Sequence, residues 1–139
     1  MKLNKKLLLI SISLLLFRAG CRSATPAQEP TTLQATRTDN QSQGQVAPQS
    51  WTISDAHAVQ QLFADMQNLP EHQNNGADSC ARPHYSYHLV FLVGTQSLQQ
   101  DDLNTYCSTL TFADGSHHDP TTTFDTLLAG MLHLSPQDV

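Results

Sequence analysis

Histidines are the residues of this chain best suited to chemistry near neutral pH, and their densest cluster is His117-His118-Asp119, with Asp114 close by. Imidazole nitrogens and carboxylate oxygens are common ligands of transition metals. If residues 117 and 118 are extended, their rings point to opposite faces and cannot share an ion. A metal-binding or metal-delivery site would therefore need a loop conformation and a further ligand. The alternative is a set of exposed polar histidines.

Other chemistry has less support in the sequence. The chain contains no Gly-x-Ser-x-Gly elbow, no His-Glu-x-x-His helix and no phosphate-binding glycine loop. Asp101 and Asp102 could suggest paired carboxylates, but neighbours on a strand point in opposite directions, and a polar turn also explains them. We therefore expect no catalytic residue and no cofactor, and favour a non-enzymatic protein. An envelope hydrolase with an unrecognised site stays open as an alternative.

The first twenty residues have the layout of a secretory signal. Lys2, Lys5 and Lys6 are followed by the apolar run 7–17 and then by small residues. The run has about 11 residues, whereas a membrane-spanning helix needs about 20. Residues 1–20 are therefore predicted to be a signal peptide.

The end of this signal, Ala19-Gly20-Cys21, resembles a bacterial lipobox. The resemblance implies that Cys21 is lipidated and becomes the new N-terminus, which would hold the protein on the outer face of the cell membrane. Arg18 stands where that family usually has an aliphatic residue. The alternatives are ordinary signal cleavage, giving a secreted protein, and an uncleaved anchor.

Three cysteines are an odd number for an exported protein, and lipid on Cys21 would account for one of them. Cys80 and Cys107 then remain as a pair that an oxidising compartment would let form a disulfide. It would close a loop of about 28 residues and contribute roughly 3–4 kcal/mol in the chain-entropy model. The alternative is a free thiol that acts as a nucleophile.

Composition divides the rest of the chain in two. Residues 22–50 are mainly Gln, Thr, Ser, Ala and Pro, with Leu33 and Val46 as the only large aliphatics. A segment this polar cannot offset the entropy cost of ordering. The sequence therefore predicts the lipidated cysteine and a disordered tether over 21–50, followed by a single domain over 51–139.

Periodicity within 51–139 predicts an α+β domain. Ser54 and Asp55 can begin a helix whose buried stripe ends at Met66, and Asp119 with Pro120 can begin a second. Alternation predicts strands over 85–93, 97–102 and 103–112, with a turn at Asp114-Gly115. The expected fold is a small antiparallel sheet of three to four strands, flanked by an N-terminal and a C-terminal helix and braced by one disulfide.

This pattern resembles small uncharacterised domains of bacterial surface lipoproteins. The shared motifs are a helix ending in Leu-Pro, two cysteines, a Tyr-x-Leu-x-Phe strand and a closing Phe-x-x-Leu-Leu helix; here they are Leu69-Pro70, Cys80, Cys107, 87–91 and 124–128. The resemblance implies a surface-attached domain with a disulfide and carries no activity.

Charge narrows the choice of partner. After Cys21 the chain has three arginines (Arg22, Arg37 and Arg82) and twelve acidic residues, so its net charge is −9 with neutral histidines. Nucleic acids need a basic surface, so we expect none as a partner. We expect a membrane contact through the lipid anchor and a cell-wall or envelope protein as partner. The leading hypothesis is a membrane-anchored, extracytoplasmic module that binds or senses a ligand without catalysis.

Overall fold

Six antiparallel strands and two helices form the described part of the chain, which in the computed structural model comprises residues 28–40, 47–73, 85–105 and 107–139. In chain order they are β1 (Thr32–Asp39), β2 (Gln49–Ile53), α1 (Ala56–Met66), β3 (Tyr85–Val93), β4 (Gln96–Asn104), β5 (Thr109–Thr111), β6 (His117–His118) and α2 (Thr122–Leu132). A 3₁₀ turn, Pro136–Asp138, follows α2.

The strands form one sheet in the order β2-β1-β3-β4-β5-β6, and both helices pack against one of its faces. Alternate residues of each strand point into this core, as the two-residue period of a strand requires. The core joins the apolar stripes of the two helices to the inward-facing residues of the sheet; its largest members are Tyr87, Phe91, Phe124, Leu33, Leu62 and Met66.

The prediction of a three- to four-stranded sheet is wrong, because β1 and the start of β2 come from chain that reads as tether, and the short strand β6 was not predicted. β1 pairs with both β2 and β3, and its Leu33 and Ala35 are fully buried. The residues that alternate with them, Thr32, Gln34, Thr36 and Thr38, face away from the helices, so polar side chains suffice there. The folded domain therefore begins before residue 51, and the predicted tether over 21–50 contains one of its internal strands.

The predicted strand at 85–93 is confirmed, as are the turn at Asp114-Gly115 and both helices, with shifted starts. Asp55 caps α1 in place of Ser54, and Thr121 caps α2 in place of Asp119. The predicted strands at 97–102 and 103–112 have the wrong boundary. A single strand, β4, crosses residue 103, and the chain turns after Asn104.

The sheet face opposite the helices is mainly polar, with Val90 and Leu92 of β3 as apolar exceptions. One row of paired residues crosses all six strands on this face, and its members are Ser50, Thr36, His88, Asp102, Thr111 and His117. Hydrogen bonds join them in pairs, including His88 Nδ1 to Asp102 Oδ1 at 2.8 Å. Asp102 therefore lies on this face, while its neighbour Asp101 points into the core.

Candidate functional site

His117 and His118 lie on strand β6, where the extended backbone directs their rings apart. His117 lies on the polar face, and its Nδ1 is 3.0 Å from the hydroxyl of Thr111. His118 faces the other way and stacks on Phe112, with ring centroids 4.2 Å apart and an interplanar angle of 17°. The two imidazoles therefore cannot bind one ion together.

The third predicted metal ligand, Asp119, contacts His72, which lies in the segment that follows α1. Asp119 Oδ1 and His72 Nδ1 are 2.5 Å apart, and the backbone N–H of His72 donates to the carbonyl of His117. His118 Nδ1 lies 3.1 Å from the carbonyl of Leu69, so its ring also contacts that segment. These side chains fasten the segment after α1 to the edge strand β6.

The predicted metal site is therefore not assembled from His117, His118 and Asp119. Within the described ranges, no group of three or more His, Cys, Asp or Glu side chains could hold a metal ion. Cys21 and Cys80 lie outside the described residues. Cys107 lies in the turn between β4 and β5 rather than in a strand, and its backbone N–H donates to Asn104 Oδ1 at 3.2 Å. The disulfide with Cys80 stays a prediction.

A serine, a histidine and an aspartate also meet at the hairpin that joins β5 to β6. Ser116 Oγ is 2.7 Å from Asp114 Oδ1 and 3.2 Å from His118 Nε2. In a nucleophilic triad the carboxylate orients the histidine, and the histidine takes the hydroxyl proton. Here the carboxylate bonds the serine itself, so the single hydroxyl proton has the shorter, charged acceptor. The arrangement stabilises the turn and does not activate Ser116.

Asp101 is the only buried charged or polar residue among the described residues, with 1% of its surface exposed. Its carboxylate accepts hydrogen bonds from Gln99 Nε2 and from the backbone N–H of Ala113. Burial raises the pKa of Asp101, because desolvation disfavours the charged form, and the carboxylates of Asp102 and Asp114 raise it further. The two hydrogen-bond donors oppose this rise.

Gln99 is itself held in place by the end of the first helix. Gln67 Nε2, just past the C-terminus of α1, donates to Gln99 Oε1 at 2.9 Å. A relay of hydrogen bonds therefore runs from Gln67 through Gln99 to Asp101. The relay fixes the orientation of both amides, because each is bonded to a neighbour; Gln67 uses one of its two amide N–H donors in it.

Asp114 supplies a second carboxylate, this one at the surface. The backbone N–H and the hydroxyl of Ser116 both donate to Asp114 Oδ1, at 2.8 and 2.7 Å. These hydrogen bonds lower the pKa of Asp114 and favour its charged form. Gly115, with φ of 85°, provides the left-handed residue that this turn requires.

A cavity of about 330 Å³ opens between these residues, lined by Gln67, Leu98, Gln99, Phe112, Ala113 and Asp114. We call this cavity and the buried carboxylate bonded to Gln99 the Asp101 corner. Its size falls at the lower end of the range for small-molecule sites. Polar groups and apolar surface converge in this cavity, which makes it a candidate binding site; Asp101 lies next to the cavity, bonded to Gln99, and does not line it.

Leu98 reaches the rim of this cavity through an irregularity in the sheet. Phe91 pairs with Gln99 and Leu92 pairs with Ser97, so Leu98 is the extra residue of a bulge in β4. Bulges redirect side chains and are common beside functional sites. Leu98 is 37% exposed and is the only exposed large hydrophobic side chain in the described part of the chain.

Positive charge is scarce around the domain. Arg37 is the only arginine or lysine in the described ranges, which hold every acidic residue except Asp78. The guanidinium of Arg37 lies over the ring of Tyr85, 4.6 Å from its centroid, and bonds Gln49. Because these contacts occupy the guanidinium, the field around the rest of the domain is that of its carboxylates.

Residue type and spacing did not single out the Asp101 corner as a candidate site. Asp101 lies in a polar stretch, and its burial depends on strand pairing that the local pattern does not report. The available signal was parity, since Asp101 and Leu103 are two residues apart on one strand and therefore share the core face. The bulge at Leu98 could not be inferred, because it depends on the register between β3 and β4.

Among the described residues, no helix has the length and apolar character needed to cross a membrane. No protein-family model, no curated protein and no solved structure matches the chain.

Proposed function

We propose that this protein is a non-catalytic binding module of the cell envelope, with the Asp101 corner as its binding site. The observation that carries the proposal is the cavity itself, where the bulged, exposed Leu98 meets Asp114 and the bonded Gln67–Gln99 pair. A cavity in which apolar side chains and a few fixed polar groups converge is the typical form of a small-molecule binding site.

The placement at the membrane comes from the sequence. The signal-like N-terminus and the lipobox resemblance at Cys21 support a lipid anchor on the extracytoplasmic face. Intact mass of the protein from membrane extracts tests this, because acylation adds a characteristic increment. We expect Cys21→Ser to release the protein into the soluble fraction, and an unmodified sulfur at Cys21 would remove the anchor from the proposal.

The binding role is tested with residues 21–139 carrying Cys21→Ser, which keeps every described residue. This chain would be titrated with a library of small amphipathic fragments while backbone amide resonances are followed by NMR. We expect the shifts of binding fragments to concentrate at Leu98, Gln99 and Ala113. Shifts concentrated on the other side of the domain, or no binding by any fragment, would contradict the proposal.

Leu98→Ser should weaken fragment binding because it removes the apolar rim. Leu127→Ser is the matched control, since Leu127 is a partly buried leucine that lines a different cavity between α1 and α2. Equal losses in the two variants would mean that a general loss of stability, and not the rim, explains the effect.

A further inference from the structure

We infer that the ligand of the Asp101 corner is a small organic ammonium ion with an apolar arm. This inference rests on the proposed function, because it names the chemical class that the same cavity would take. Four features of the corner support it: its carboxylates, its acceptor groups, its apolar rim and the charge of the surrounding domain.

The carboxylates favour a cation. Asp114 lines the cavity, and its charge also raises the pKa of the buried Asp101, which is bonded to Gln99 and does not line the cavity. No arginine or lysine in the described ranges lies at this corner, since Arg37 is held by Tyr85 and Gln49. A ligand cation beside Asp114 would relieve the repulsion between Asp101 and Asp114, whereas an anion would increase it.

The hydrogen-bonding groups favour a donor. An ammonium group offers three N–H donors and no acceptor. Asp114 presents a carboxylate, which in its ionised form has hydrogen-bond acceptors and no donor. Gln67 donates one N–H of its amide to Gln99, and its side-chain carbonyl oxygen can accept a hydrogen bond from a ligand donor. The cavity is therefore matched to a ligand that donates.

The rim favours an apolar arm on the same ligand. Leu98 and Phe112 line the cavity together with Asp114. Phe112 is held in place by its stack on His118, so it presents a fixed ring. A bare inorganic cation would leave this surface in water, whereas an alkyl chain of a few carbons would cover it.

The size of the cavity sets the scale of the ligand. A volume of about 330 Å³ admits a molecule such as hexylammonium. For a ligand of this size we expect a dissociation constant on the order of 1 mM. The measurement must therefore detect weak binding, for which NMR titration is suited.

The test compares three probes of equal chain length: hexylammonium, hexan-1-ol and hexanoate. Each would be titrated into residues 21–139 carrying Cys21→Ser, with the amides of Leu98, Gln99 and Ala113 as reporters. We expect hexylammonium to bind roughly three- to fivefold more tightly than hexanol, with hexanoate weakest. Hexanol binding as tightly as hexylammonium would overturn the ligand class and leave the binding site standing. If none of the probes shifts these amides, both the class and the site fail.

Asp114→Asn isolates the charge, because asparagine keeps an oxygen for the hydrogen bonds from Ser116. We expect it to remove the preference for hexylammonium over hexanol while hexanol binding is retained. Asp102→Asn is the matched control, since it removes the same charge next to Asp101 in sequence but on the polar face. An equal loss of preference in both variants would mean that overall charge, and not this corner, selects the ammonium ion.

Discussion

The side-chain amide N–H group of Gln99 donates hydrogen bonds to both carboxylate oxygens of Asp101, with Nε2 at 3.0 Å from Oδ1 and 2.9 Å from Oδ2. This contact places a charged group in the core of a small domain at a position where the opposing residue on β3 is Leu89. Burying a carboxylate is costly unless donors compensate for lost water. The Gln99 amide and the N–H of Ala113 are those donors.

Asp101 predicts a specific pH dependence of stability. Its folded-state pKa is raised above the ordinary value of 3.8, so the folded protein holds this proton more tightly than the unfolded chain does. The contribution of Asp101 to the free energy of unfolding is therefore full below that value and is lost as the pH rises through the raised pKa. Asp101→Asn cannot ionise and should lack this loss.

The measurement is chemical denaturation of the wild type and of Asp101→Asn at a series of pH values from about 3 to 7. The difference in unfolding free energy between them should change across the acidic range, in favour of the variant as the pH rises. Asp102→Asn serves as control, because Asp102 is 70% exposed. Parallel profiles for the wild type and Asp101→Asn would contradict the raised pKa.

β1 predicts that a chain starting at residue 51 does not fold. Such a chain lacks Leu33 and Ala35 and leaves the edge of β3 unpaired. Within the whole chain, Leu33→Ala should cost about 2–4 kcal/mol, since it opens a space in the core. The neighbouring Gln34→Ala, on the polar face, should change stability by no more than about 0.5 kcal/mol.

Circular dichroism and thermal unfolding check both statements. A cooperative transition for residues 51–139 alone would show that β1 is dispensable. Similar losses for Leu33→Ala and Gln34→Ala would show that the two faces of β1 are not distinguished in solution.

His117 and His118, the two neighbouring histidines of β6, should differ in their contribution to the free energy of unfolding. His118→Ala removes the stack on Phe112 and the contact with the Leu69 carbonyl, which together should cost about 1–2 kcal/mol. His117→Ala removes one exposed contact with Thr111, so we expect a change within about 0.5 kcal/mol. Denaturant unfolding at one fixed pH provides the comparison, and equal costs would argue against the fastening role of His118.

The elements that the sequence predicts well, β3 and the two helices, are those with a strong local pattern of apolar residues. β3 alternates large apolar residues over nine positions, and the two helices have full apolar stripes, so the sequence alone identifies all three. The sequence does not predict β1, because Leu33 is its only large aliphatic residue. β1 is stabilised by pairing along both of its edges, with β2 and with β3. Local composition contains no record of such non-local hydrogen bonds.

The candidate site, like β1, depends on contacts between residues that are distant in the sequence. His117, His118 and Asp119 form a cluster in sequence, but the extended backbone of β6 separates their side chains. The residues of the Asp101 corner come from α1, β4 and the β5–β6 hairpin, so only tertiary packing brings them together. Residue type draws attention to histidines, whereas burial and register identify Asp101 and Leu98.

Binding of an ammonium ion at the Asp101 corner is tested by the pKa of Asp101, measured from the carboxyl ¹³C resonance with and without hexylammonium. A cation bound at the corner stabilises the charged carboxylate, so saturating hexylammonium should lower the pKa of Asp101 and leave that of Asp125 on α2, which burial raises, almost unchanged. If the ligand binds while the pKa of Asp101 stays constant, or if both values fall equally, the ligand lies elsewhere and the account of this corner is contradicted.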